Sequence, residues 1–268
     1  MRAVRIIAVN VFRESVRDKV LYNLVAFAVL LMAASYLIGQ LTVGQDMKII
    51  KDLGLAATSI FGLFIAVFIG IGLVWKEVER RSIYTLLSKP IARRQFILGK
   101  YAGLLLTLAV NLAAMTIAFY AVLALLAWTS TPAAKAVWEA PALDPRMLIA
   151  VVLIYAELAI LTACALFFSS FSTPMLSAAF TLGLYVIGSF NADLKNFENV
   201  VDSPAAASVA RAFYYTLPNL APFDVKAAVV HGQPVAAGYV LLTLGYAAIY
   251  IALIVAATMI IFSRRDFK

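Results

Sequence analysis

Few residues in this chain can do chemistry, and Glu157 stands in the least expected place. It lies within the apolar run IYAELAILTA. A charged group in such a run costs about 2.5–3.5 kcal/mol on insertion scales, so it should face protein or water rather than lipid. Two roles fit it: contact with a passing substrate or proton, or a structural hydrogen bond to another helix. Asn111, in a separate apolar run, is its candidate partner, and the two are the substrate-pathway candidates. Other chemistry is thinly supplied. One cysteine, Cys164, forbids an intrachain disulfide, and one histidine, His231, leaves too few ligands for a His/Cys zinc site. No G-x-x-x-x-G-K-[ST] loop and no G-x-S-x-G turn occurs, which removes P-loop ATP binding and the common serine-hydrolase elbow.

The second concentration of functional groups is the stretch WKEVERRSIYTLLSKPIARRQFILGKYAGL, Trp75 to Leu104. Its pattern predicts a short helix between two apolar runs. Glu77 and Glu79 fall in its first turns, where the helix dipole favours anions. Ile83, Leu86 and Leu87 follow i, i+3, i+4 spacing and form an apolar stripe. Pro90 ends the helix and restricts Lys89 before it. Arg93 and Arg94 then stand at phosphate level, and Gly99 and Gly103 form a G-x-x-x-G pair suited to close helix packing. An apolar stripe outside the membrane needs a cover, either its own bundle or a docked protein.

The elements that must hold these groups follow from composition. The chain has 268 residues, 64% hydrophobic and 13% charged, with mean hydropathy +0.94. A soluble domain carries roughly 25% charge, so a water-soluble enzyme is excluded. Six apolar runs read as membrane-spanning helices: Val20–Leu41, Leu53–Trp75, Phe96–Trp128, Met147–Phe168, Met175–Phe190 and Val235–Phe262. The runs are continuous rather than alternating, which excludes a β-barrel. The predicted fold is all-α and polytopic, a single domain over 1–268.

Charge placement sets the orientation. Fifteen of the 22 basic residues fall in the amino-terminal segment, around the second loop and in the tail, and seven fall on the other side. The positive-inside rule puts both termini and the second loop in the cytoplasm. The pI near 9.6 therefore reflects topology and not nucleic-acid binding. Residues 1–19 read as an interfacial amphipathic helix and not a cleaved signal. Val4, Ile7, Ala8, Val11 and Phe12 form its apolar stripe, and its arginines face lipid phosphates. Residues 191–234 read as an extracytoplasmic loop with short helices on the outer surface.

The motif E-x-E-R-R-S-I-Y-T-L-L-S-K-P-I-A-R-x-x-F-I-L-G-K-Y resembles the first cytoplasmic loop of ABC-2 type transporter permeases. The likeness is nearest to the small six-span group that includes the permease of the nitrous-oxide-reductase maturation system. Tyr214–Leu220 with Phe223–Asp224, and the terminal Ile261–Phe267, are similar to that group as well. The resemblance implies that residues 76–95 carry a coupling helix docked on a separate ABC ATPase. Glu77, Glu79, Arg80, Arg81, Ile83, Tyr84, Leu86 and Leu87 would make the contact, and Lys89, Pro90 and Arg93 would fix its exit.

It further implies a permease dimer, homo- or heterodimeric, in the bacterial inner membrane. The chain itself would bind no cofactor, with ATP and Mg held by the partner, and would be a transport subunit rather than an enzyme. The expected function is export of an unidentified substrate. The alternative is a non-transporting scaffold or signalling component of an ABC-type complex. An intramembrane enzyme using Glu157 lacks a second buried carboxylate or histidine.

Overall fold

The computed structural model describes residues 2–40, 46–79, 92–190, 214 and 216–264, with side chains described except at 40, 73–79 and 264. The described residues form helices and connecting turns, with no strand. These are α1 (Arg2–Val16), α2 (Lys19–Gln40), α3 (Asp46–Glu79), α4 (Arg93–Thr129), α5 (Pro132–Ala136), α6 (Met147–Ser169), α7 (Pro174–Ser189), a 3-10 turn (Ala221–Phe223), α8 (Lys226–Val230) and α9 (Ala237–Arg264).

Local chemistry sets several of the boundaries. The Asp18 carboxylate accepts from Val20 N–H at 3.0 Å and starts α2. Thr131 caps α5 through Ala134 N–H, and Pro132 and Pro174 open α5 and α7, where a missing N–H costs nothing. Hydroxyls inside the apolar helices bond back one turn: Thr58 to Gly54, Thr107 to Gly103, Thr162 to Leu158 and Thr258 to Ile254. That placement satisfies a polar group where no water is at hand.

Five helices, α2, α3, α4, α6 and α9, are long and apolar enough to cross a membrane. The run expected as the fifth span folds as α7, only 16 residues. At 1.5 Å per residue it rises about 24 Å, short of a ~30 Å hydrocarbon core. The α3 and α6 spans are each 72% buried, against 17–28% for α2, α4 and α9. Those two helices are the core, and the others surround them. Glycines set the approach on one side of α3. A Cβ at Gly62 would stand 2.5 Å from Leu158, and one at Gly70 would stand 2.6 Å from the Ala165 methyl. Gly54 admits the Phe119 ring of α4. Gly72 and Gly183 have open space where a Cβ would lie.

Two tyrosines cross-tie α4 and α6. Tyr101 donates to the Ala159 carbonyl at 3.0 Å, and Tyr155 donates back to Leu105 at 3.2 Å. The amphipathic α1 lies along α4. Its Ile7 and the Val4 carbonyl meet Gly99, and the Ala8 carbonyl and Val11 meet Gly103. The G-x-x-x-G pair is the seat for α1. Gly103→Ala would set a methyl 2.7 Å from a backbone oxygen, which cannot rotate away. We expect a loss of about 1–3 kcal/mol, read as a lower thermal midpoint of the purified protein. Gly245→Ala, whose Cβ would meet nothing within 4 Å, should be neutral or stabilising. Equal midpoints for the two variants would contradict the seat.

Candidate functional site

The residues singled out by sequence fall into three places. The first is the end of the bundle where α3 stops and α4 begins. The separate helix expected to start near residue 76 does not begin there, since α3 continues unbroken to Glu79. Glu77 and Glu79 therefore stand within the helix that starts at Asp46 and not in the first turn of a short one. Arg80, Arg81, Ile83, Tyr84, Leu86, Leu87, Lys89 and Pro90 lie outside the described residues.

Arg93 is the first residue of α4, and its Nη1 donates to the Ser263 carbonyl at 2.8 Å and to Phe262 at 3.4 Å. A guanidinium on the last carbonyls of α9 satisfies acceptors left open at the helix end and complements its dipole. Phe96 stacks on Phe262 at 5.8 Å beside this contact, and the Lys100 amine stands 4.8 Å from the Phe96 ring. Lys100 is 1% exposed. The fold encloses it between helices.

The second place is the middle of the bundle. Glu157, 6% exposed, projects from α6 into packed protein. The charges that act on it are Lys226 and Asp224, and it in turn acts on Tyr185 of α7. Asn111 is not among its partners. The Asn111 amide donates to the Thr107 carbonyl of its own helix at 2.8 Å. The chain after residue 216, which was expected on the outer surface, packs in part into the bundle. There Leu220, Phe223, Val229 and Val230 are each at most 2% exposed, and α8 packs on α3 and α6.

A tyrosine ladder on α9 holds this segment. Tyr239 donates to Pro222 at 2.7 Å, the Tyr246 oxygen accepts from Asn219 N–H at 2.9 Å, and Tyr250 donates to Thr216 at 3.1 Å. These hydroxyls satisfy backbone groups of residues 216–222, a stretch in which Pro218 and Leu220 are buried and Thr216 is exposed. Sequence reasoning missed them. The available signal was three tyrosines at i, i+7 and i+11 in an apolar helix, which share one face. Beside the ladder lies an apolar groove of about 410 Å³, walled by Cys164, Phe168, Leu184, Leu253 and Ile254.

The third place is the opposite end of the bundle from Arg93. Glu139 accepts from Lys48 of α3 at 2.6 Å and from His231 Nδ1 at 3.2 Å. Arg146 donates to the Gly232 carbonyl, and Gly232 adopts φ +68°, which favours glycine. The Lys51 amine, fully enclosed, donates to the Pro141 carbonyl at 2.9 Å. Tyr120 donates to the Asp144 carbonyl. The connection before α6, the start of α3 and the connection before α9 are thus bound into one polar layer.

The Lys48 ammonium, and then His231, hold the Glu139 carboxyl below the usual carboxylate range. The sign follows directly: the tie is complete above the unfolded-state value and is lost as pH falls through the lowered one. Both partners are half-exposed, so the effect is modest. The gap in thermal midpoint between the native chain and Glu139→Gln should close on acidification through the carboxylate range. A gap that stays constant to the lowest pH would refute the tie. At the other end, Arg93→Gln removes charged hydrogen bonds worth about 1.5–3 kcal/mol. Amide exchange in the last turn of α9 should quicken while that of α7 does not; unchanged exchange in both would count against the clamp.

No curated protein matches this chain. A family model does, described as ABC-2 family transporter protein, and the match covers residues 5–267. With the match running over nearly all of the apolar helices and both ends of the bundle, this membrane protein belongs to the ABC-2 transporter permease family.

Proposed function

We propose that the chain is the transmembrane half of an exporter whose ATP is bound and hydrolysed, with Mg, by a separate ATPase subunit. The whole-length family match carries this reading. Further support comes from the segment 76–95. It lies between the end of α3, the most enclosed helix together with α6, and the start of α4, which Arg93 ties to α9. A push delivered there reaches the core helix and two of its neighbours through rigid elements.

In this proposal Glu77, Glu79, Arg80, Arg81, Ile83, Tyr84, Leu86 and Leu87 dock on the ATPase, and Lys89, Pro90 and Arg93 set the exit. Two permease copies, identical or paired with a relative, complete the pore. Six crossings place both termini on the ATPase side, with α7 and the buried segment after residue 216 together completing the fifth. The polar layer around Glu139 then faces away from the ATPase. The protein sits in the bacterial inner membrane as a transport subunit and catalyses no reaction itself. Glu157 is the pathway candidate, because it is a carboxylate enclosed at mid-span.

The test is co-expression with the ATP-binding-cassette ATPase encoded beside it. The native chain should co-purify with that ATPase and stimulate its turnover. Leu86→Asp and Arg81→Glu should abolish both effects, with unchanged thermal midpoints for the permease alone. Undiminished stimulation in both variants would sink the coupling assignment.

A further inference from the structure

The groove beside the tyrosine ladder is too large to be a gap of imperfect packing. It measures about 410 Å³. An apolar cavity of about 150 Å³ already stays dry and takes up a small hydrocarbon. The groove is built from four parts of the chain. Cys164, Phe167 and Phe168 of α6 line its floor, Leu184 of α7 and Leu253 of α9 its sides, and Thr216 one end. α6 packs on both α7 and α9, and the groove lies between those two helices. Water is a poor filling for it. A buried water needs two to four polar partners. Away from Thr216 the floor and sides named here are carbon and one thiol, a weak hydrogen-bonding group.

The two ends of the groove differ. Phe167 and Phe168 stand in the last turn of α6, beside the polar turn 170–173. At the other end the Tyr250 hydroxyl donates to the Thr216 carbonyl at 3.1 Å and ties the segment across the groove. Tyr250 lies near the middle of the 28-residue α9, the span with the smallest buried share. The groove therefore runs from the level of a helix end into the depth of the membrane and stops there. A phospholipid has the matching polarity, with a headgroup at the surface and a chain directed inward. We infer that this groove is a binding site for one acyl chain of a membrane phospholipid, laid on α6 between α7 and α9. Transfer of the chain from surrounding lipid brings no hydrophobic gain, so the contacts that an empty groove would forfeit must hold it. This rests on the chain spanning a membrane and not on the coupling proposal, so the two can fail separately.

The full chain is reconstituted in phosphatidylcholine nanodiscs doped with a phosphatidylcholine that carries a diazirine partway along one acyl chain. After illumination the labelled residues are mapped by peptide mass spectrometry. Label should appear on residues 164–168, although the α6 span is 72% buried. It should also appear on Leu241 and Leu242, which are exposed on α9 and report ordinary lipid contact. Ala257 lines the groove, whereas its neighbour Ala256 is exposed outside it. Ala257→Phe should therefore abolish label on 164–168, and Ala256→Phe should keep it, with Leu241 and Leu242 labelled in both and thermal midpoints matching the native one. If Ala257→Phe does not fold, Leu184→Phe closes the groove from the α7 side and is read in the same way. Absence of label on 164–168 in the native chain, or equal label in the two variants, overturns the inference. A photoreactive benzoylphenylalanine in place of Leu253 names the occupant in that event. Crosslinks to a second chain assign the groove to another copy, and crosslinks to residues 191–213 assign it to that segment; either result overturns the lipid assignment.

Discussion

Everything in this fold depends on how closely α3 and α6 approach. Both are apolar on nearly all sides, and such helices are stable only when other helices surround them. In lipid no hydrophobic force drives two apolar helices together, so contact area and backbone proximity must do so. Gly62 and Gly70 supply that proximity by admitting Leu158 and Ala165 to distances that a side chain on α3 would block. The same device recurs where Gly54 receives Phe119, and where Gly99 and Gly103 receive α1. The bundle is assembled by small residues at its seams, with large side chains filling what the glycines leave.

Polar groups are then placed by a second constraint: each must be satisfied within the protein. The threonines do so on their own helices. Tyr101 and Tyr155 do so across α4 and α6, and Tyr239, Tyr246 and Tyr250 do so for a non-helical segment. The tyrosine ladder ties the chain after residue 216 to α9, and Leu220, Phe223, Val229 and Val230 of that chain are enclosed.

The two ends of the bundle are tied differently. At one end, Arg93 on the last carbonyls of α9 and α1 in its glycine seat join the first, fourth and ninth helices. At the other, Glu139 gathers Lys48 and His231, and Lys51 and Arg146 reach backbone carbonyls nearby. Both ends combine helices with a few charged contacts.

The sequence by itself determined the class of protein, since continuous apolar runs with this little charge have no other stable form. It also located five helices long and apolar enough to cross a membrane, the amphipathic start, the Pro174 helix opening and the family motif, because these depend on local periodicity and residue type. The unbroken course of α3 to Glu79 and the burial of Lys51 and Lys100 were decided only in three dimensions. Asn111 looked a fitting partner on hydropathy alone, yet its nearest acceptor was one turn away on its own helix. Residues 111 and 226 are equally remote from 157 in the sense that matters along a chain. Which of them acts on it is set by helix rotation and by the return of a segment after residue 216, and neither leaves a mark in local sequence.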